Sequence, residues 1–459
     1  MTKASADTGK VISTCISNIK ISMTKRSRWL VAVCATANVL CATAQEPLRM
    51  TLQQIFTTAE THNASIKSFK TAIKEAEDGV AAAHSARLPD LEATASVSYL
   101  GNVNIWDRPF KNRFTAETPH FGNNFAVMAR QTVYSGGAIS SGIRQAKLGH
   151  EMAKVNAEEN LQRVRFLLTG HYLQLHNLHN QEEVFNQNIA LTETLISQTR
   201  SRMEQGVALQ NDITRHELQL EQLRLGRARV QDAQRIISHQ LTTAIGIDTT
   251  VVIVPQEEFH TEHCPTDGEA EWQLLATSNS TTLQKASLGT KMAEEKVKTE
   301  RAERLPKVAL VAEDHFDGPV TFEIPTLDKN INYWYVGVGV SYNISSLWKR
   351  NKHLRQARTA ALHSQDQQRE AREGVENAIQ AAYTNYLTSF TELKTQQKSV
   401  ELAAQNYRII QNRYENGLAL ITDMTDAANV KLDAELALVS ARINVIYNYF
   451  QLKYISNTL

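Results

Sequence analysis

Near the C-terminal end of the chain an apolar or aromatic side chain returns every seventh residue: Ile379, Tyr386, Leu393, Val400, Tyr407 and Tyr414. Tyr383, Phe390 and Ala404 follow members of that series by four. A seven-residue period sustained this long specifies helix packed on helix with a left-handed supercoil. The same register occurs earlier, at Leu161, Leu168, Leu175, Ile189, Ile196 and Met203, interrupted by Glu182. Both seams lie in proline-free runs, about 138–205 and 347–416, which read as single helices. At 1.5 Å per residue, such a helix is roughly 100 Å long. No compact core needs an element of that length; a rod or a tube wall does.

The two seams belong to an internal duplication. Arg202-x-Glu204-x-Gly206-x-Ala208-Leu209-x-x-Asp212-x-Thr214 recurs 211 residues later as Arg413-x-Glu415-x-Gly417-x-Ala419-Leu420-x-x-Asp423-x-Thr425. Arg144-x-Ala146 and Tyr172 recur at the same offset, as Arg355-x-Ala357 and Tyr383, while Arg87-Leu88-Pro89 recurs 217 residues on as Arg304-Leu305-Pro306. Repeats of this kind mark structural units. The chain therefore divides into a first repeat, 45–245, a linker, 246–268, and a second repeat, 269–459. Each repeat reads the same way. A helix (51–86, 269–303) stops at the Arg-Leu-Pro, because proline ends a helix. A strand pair follows, about 91–102 with 123–135 and 307–316 with 332–344. The long helix, a glycine-centred turn and a returning helix (212–245, 423–457) complete the repeat. On the second of these, Leu432, Leu436, Val439, Ile443, Ile446 and Phe450 are spaced by fours and threes.

The strands alternate. Val336, Val338 and Val340 oppose Gly337, Gly339 and Ser341; Leu91, Ala93, Ala95, Val97 and Tyr99 oppose Glu92, Thr94, Ser96 and Ser98. Phe125, Val127 and Ala129 alternate less cleanly, and Val308, Leu310 and Ala312 give a short fourth strand. With Tyr99, Trp106, Trp334 and Tyr342 near the strand ends, the pattern fits a membrane barrel; alternation by itself also fits a small soluble sandwich. Four strands cannot close a barrel, so a barrel requires several chains. No apolar run after residue 45 is long enough for a membrane-spanning helix.

Lys25, Arg26 and Arg28, the apolar stretch Trp29 to Ala42 and the Ala42-Thr43-Ala44 site read as a signal peptide over 23–44, with Gln45 opening the mature chain. Met23 is the expected start, and residues 1–22 are an upstream segment with no structure assigned. Lipidation at Cys41 is disfavoured by the bulky Leu40 before it. After processing only Cys264 remains, so an intrachain disulfide is excluded. The net charge of +1 offers no basic surplus for nucleic acid. Scarce Gly (19) and Pro (9) favour long helices.

Chemistry-bearing motifs are absent: there is no Gly-rich phosphate loop, no Gly-x-Ser-x-Gly and no His-Glu-x-x-His. His260-x-x-His263-Cys264 lacks a fourth spaced ligand. His171, His176 and His179 read as solvated or core residues of a long helix. The chain is expected to be no enzyme, with no catalytic residue, metal or cofactor.

A cleaved leader, a duplication, two strand pairs and two long–short helical hairpins together resemble the TolC family of outer-membrane factors over about 46–457. The resemblance implies a mainly α fold with a β-barrel portion. In it, four strands per chain contribute to a trimeric twelve-stranded outer-membrane barrel, and long antiparallel coiled-coil helices form a periplasmic tube. It further implies a homotrimer set in outer-membrane lipid that exports small molecules or polypeptides. The expected partners are a periplasmic adaptor (membrane fusion protein) and an inner-membrane pump of RND or ABC type. The alternative is a periplasmic coiled-coil scaffold without a pore.

The family's Val-Gly-Leu-like turns, where the adaptor docks, correspond to Gly206, Val207, Ala208 and Leu209 and to Gly417, Leu418, Ala419 and Leu420. Asp423 and Asp426 resemble the Asp-x-x-Asp-Ala that rings the periplasmic entrance; the competing reading is helix capping. Tyr414 and Asp212 stand where the family's closing hydrogen bond lies. Ala419 occupies the place of an arginine that belongs to the same lock.

Overall fold

The computed structural model describes residues 48–257, 259, 268–323 and 326–459. The signal peptide at 23–44, the segment 1–22, and His260, His263 and Cys264 lie outside the described residues. The first half contains β1 (Leu48–Met50), α1 (Leu52–His62), α2 (Ala64–Ser85) and β2 (Asp90–Tyr99). There follow β3 (Val103–Ile105), β4 (Phe114–Ala116), β5 (Phe121–Tyr134), α3 (Ala138–Glu204) and α4 (Gln210–Ile245). After β6 (Ile253–Pro255) the second half repeats the order: α5 (Glu269–Asn279), α6 (Thr281–Ala302), β7 (Lys307–Gly318), β8 (Ile331–Ser341), α7 (Ser346–Glu415) and α8 (Ile421–Ile455).

The helices expected over 51–86 and 269–303 are each broken in two. Asn63 sits in extended backbone, ends α1, and accepts the Ile66 N–H with its side chain at 3.0 Å as the N-cap of α2. Its amide also donates to the Ala244 carbonyl at 2.6 Å, anchoring the break on α4. Ser280 does the equivalent between α5 and α6, accepting the Leu283 N–H. A polar residue that can cap competes with helix continuation through its own side chain.

The heptad residues are buried largely within one chain. Leu168, Tyr172 and Leu175 of α3 pack with Ile55 of α1 and with Leu241 and Ile245 of α4. Ile379, Tyr386 and Leu393 of α7 pack with Trp272 of α5 and with Val445 and Leu452 of α8. Leu173 against Ile443 and Ile446 joins the two hairpins. At Glu182 the heptad is interrupted by a polar layer: the carboxylate accepts from Gln231 and Gln234 of α4 at 2.7 Å each. Burial pushes this carboxyl up, but the two amide donors, with His179 and Arg227, outweigh it and hold the group below the usual carboxylate value.

Two small pairings were not legible in the sequence. Strands β1 and β6 form a parallel ribbon. The buried Tyr172 hydroxyl fastens it to α3, donating to the Met50 carbonyl at 2.9 Å and accepting the N–H groups of Gln256 and Glu257. Strands β3 and β4 form a hairpin in the β2–β5 connection.

The main sheet is antiparallel in the order β2-β5-β7-β8. The register places Leu91, Val97, Tyr99, Phe121, Phe125, Val127, Leu310, Phe316, Trp334, Val336, Val338 and Val340 on one face, all exposed. The opposite face carries Glu92, Thr94, Ser96, Ser98, Asn124, Arg130, Glu313, His315 and Asp317. An apolar band of this extent cannot face water. It is the outward face of a membrane barrel with a polar lumen. No described helix is long and apolar enough to cross a membrane.

Candidate functional site

The site is at the end of the helices farthest in sequence from the strands, where each long helix reverses. Gly206 and Gly417 have φ of 77° and 73°, the left-handed backbone that glycine adopts without cost. Gly206 N–H donates to Met203 O at 2.9 Å and Val207 N–H to Arg202 O at 3.0 Å. Gly417 and Leu418 repeat the pattern onto Tyr414 O and Arg413 O. This pair of bonds is the Schellman closure, and it satisfies the last carbonyls of α3 and α7. The chain then runs extended through Leu209 and Leu420 and re-enters a helix. Val207, Leu209, Leu418 and Leu420 are each more than 60% exposed, so both tips present apolar side chains to solvent.

Asp212 and Asp423 occupy equivalent places. Each carboxylate reaches back to the N–H at the start of its helix, that of Leu209 at 3.3 Å and that of Leu420 at 3.1 Å. Both therefore cap, at the positive end of the helix dipole. Asp426 lies one turn beyond Asp423, is exposed, and has no side-chain partner among the described residues.

The two tips meet. Arg202 donates to the Glu415 carbonyl at 2.8 Å, and its guanidinium lies 5.7 Å from the centre of the Tyr414 ring. A cleft of about 340 Å³ between the tips is lined by Arg202, Leu209, Asp212, Arg215, Tyr414 and Leu420, with Ala419 on its wall. Burial pushes the Tyr414 hydroxyl up, and the charge of Asp212 adds to that. The structure thus brings Tyr414 and Asp212 together within one chain, and Arg202 from the first tip supplies a guanidinium near the position where Ala419 offers none. Behind the tips, Leu195, Tyr407, Met424 and Ala427 pack the hairpins against each other. Burial pushes the Tyr407 hydroxyl up to about 12.

His216 was not singled out from the sequence. It is 1% exposed, its ring meets Tyr414 edge-on at 6.3 Å, and neither ring nitrogen has a hydrogen-bond partner. Burial lowers its pKa below the ordinary 6.5, and Asp212 and the Gln219 side chain oppose the shift. The available signal was its place in line with Ile213, Leu220 and Leu223, on the buried stripe of α4.

Comparison with known proteins adds a family and a fold. A family model described as outer membrane efflux protein matches residues 56–247 and 273–458. The outer membrane protein VceC from Vibrio cholerae is 14% identical with a TM-score of 0.71, over 88% of this chain and 96% of that one. The CmeC outer membrane channel of Campylobacter jejuni is 14% identical with a TM-score of 0.70, over 89% and 85%. The MtrE outer membrane channel of Neisseria gonorrhoeae, in its open state, is 16% identical with a TM-score of 0.69, over 88% of each chain. No curated protein sequence matches the chain.

Proposed function

Because the chain belongs to the outer membrane efflux protein family, we propose that it is one subunit of a homotrimeric export duct. It resides in the outer membrane and extends into the periplasm, and its family and fold are those of channels rather than enzymes. In the proposed assembly three four-stranded sheets close one twelve-stranded barrel around a polar lumen, and the helices continue it as a tube. The carrying observation is the sheet itself. Its outward face is apolar, and its two edges, β2 and β8, are unpaired in the single chain. A membrane sheet tolerates no open edge, so other copies must complete it.

The duct works with a periplasmic adaptor and an inner-membrane pump of RND or ABC type, taking small molecules or polypeptides from whichever pump supplies them. The adaptor docks on the exposed tips, Gly206 to Leu209 and Gly417 to Leu420. Arg202, Tyr414 and Asp212 hold the periplasmic end closed, and Asp423 with Asp426 rings the entrance.

Two measurements test this reading together. Detergent-purified protein is expected to conduct in planar bilayers and to rescue drug efflux in a strain lacking its own duct. Gly206→Val with Gly417→Val strains both turns at positive φ, although a Cβ has open space at each position. This variant is expected to conduct normally and to lose efflux. Protein that extracts without detergent and carries no current would leave the scaffold alternative standing, and normal efflux in the glycine variant would move docking elsewhere.

A further inference from the structure

The elements of the two halves correspond under two fixed shifts. Moved by 217, α1 and α2 fall on α5 and α6 at both ends, and Asp90 falls on Lys307, the first residue of β7. Moved by 211, the C-terminal end of α3 falls on that of α7, Glu204 on Glu415. The strand registers obey the same shifts: Asp90 opposite Arg130 becomes Lys307 opposite Ser341. The repeat is therefore one of geometry.

The halves join within the chain along a seam. Strand β5 pairs with β7, and α3 packs against α6. On that seam the Arg144 guanidinium bonds Glu295 at 2.8 Å, Lys298 bonds the other carboxylate oxygen at 2.7 Å, and Ser141 donates to Glu295 at 3.1 Å. The Glu295 side chain is only 9% exposed. Apply the shifts, and the same seam is required once more, between β8 and α7 of one chain and β2 and α2 of another. Arg144 becomes Arg355 and Glu295 becomes Asp78. Ser141 becomes Lys352 while Lys298 becomes Ala81, so the second cation changes helix and the acid keeps two positive neighbours. Asp78, Lys352 and Arg355 are all exposed, and none has a side-chain partner among the described residues. A second pair lower on the seam, Lys285 with Glu159, is not copied: its counterparts are Ser68 and Glu370.

We infer that the joint between subunits is a copy in trans of the joint between repeats, with Arg355 and Lys352 of one subunit closing on Asp78 of the next and β8 pairing antiparallel with the neighbour's β2. This rests on the trimeric reading above. The register follows from that of β5 on β7: Val340 stands opposite Ala95, Val338 opposite Val97 and Val336 opposite Tyr99. Those residues all belong to the outward apolar face, so the band runs unbroken around the barrel. A slip of one residue would set Val338 against Ser96 or Ser98 and turn the neighbour's polar face outward.

Charge reversal tests the pair. Arg355→Asp and Asp78→Arg singly are each expected to lower the detergent-resistant trimer by about tenfold or more, since like charges then face each other. Arg355→Asp combined with Asp78→Arg is expected to restore it, apart from the contribution of Lys352. Disulfide trapping tests the strands, in a Cys264→Ala background. Val338→Cys with Val97→Cys is expected to link subunits into a dimer and trimer ladder on oxidation, and Val338→Cys with Ser96→Cys is not. A general amine cross-linker separates the two levels of failure. Trimers under that reagent, with no rescue by the double reversal and no ladder from the 338–97 pair, overturn the seam. Monomers only, in outer-membrane extracts of the unmutated protein, overturn the trimeric reading itself.

Discussion

At the scale of single residues, the tips combine groups that cap with groups that are charged and free. Asp423 has its carboxylate committed to the Leu420 N–H, whereas Asp426, on the same helix face, is uncommitted. The two competing readings of this pair therefore divide between the residues. Asp423→Ala is expected to cost about 1 kcal/mol as a lost cap, seen as a lower melting temperature. Asp426→Ala is expected to leave stability unchanged and to weaken cation selectivity and trivalent-cation block in bilayers, because carboxylates converging on one axis build a negative potential. Unchanged block in Asp426→Ala would end its role at the entrance. His216 gives the tips a pH dependence. Its folded pKa is lowered by burial, so below 6.5 the folded chain binds fewer protons than the unfolded one. Stability at the tip is full above 6.5 and falls as pH drops through 6.5 toward the folded value. Tyr414 packs against it edge-on, and Asp212 and the Gln219 side chain favour the protonated ring without outweighing burial. The protection of amides 206–216, taken relative to the intrinsic exchange rate at each pH, is expected to fall between pH 7.5 and 5.5 in the wild type, and His216→Leu is expected to lose that dependence.

At the scale of elements, Tyr172 carries a connection that its repeat counterpart does not. Its hydroxyl serves one carbonyl and two N–H groups of the β1–β6 ribbon, at zero exposure. Tyr172→Phe leaves the Glu257 N–H without its partner and the Met50 carbonyl and Gln256 N–H with only each other, at 3.2 Å, at a cost of about 1–2 kcal/mol. Tyr383, 211 residues on, is half-buried, and Tyr383→Phe is expected to be near neutral. Equal melting temperatures for the two variants would remove the ribbon's anchoring role. The long helices, the glycine turns and the four main strands were legible because period and repetition reveal them. The β1–β6 ribbon was not, because three-residue strands of Leu48-Arg49-Met50 and Ile253-Val254-Pro255 carry no measurable alternation. The breaks at Asn63 and Ser280 were hidden for another reason: each is one polar residue in an otherwise helical run, and its capping bonds exist only after folding. In the site, Tyr414 beside Asp212 was foreseen from the family pattern, whereas Arg202 over Tyr414 and the buried His216 depend on how two distant tips meet.

At the scale of the whole molecule, the resemblance to TolC-like outer-membrane factors extends over nearly the full described chain. Leu393, a member of the heptad series, is buried within its own chain, in the cluster that α7 forms with α5 and α8. The coiled-coil seams thus build each hairpin, and in the proposed trimer the joints between neighbours fall to α2, α7 and the two edge strands. Stability of the single chain and closure of the ring are carried by different side chains.

The shared geometry of the two halves has a kinetic consequence. In the proposed trimer, a ring of six equivalent segments has six joints to make. In this chain the link through residues 246–268 joins the segments in pairs, so three joints form intramolecularly, at the high effective concentration of a short tether. Only three remain to be found by diffusion in the crowded plane of the membrane. Assembly order falls from sixth to third in chain concentration, and the ring can close at expression levels where six separate half-length chains would stay apart.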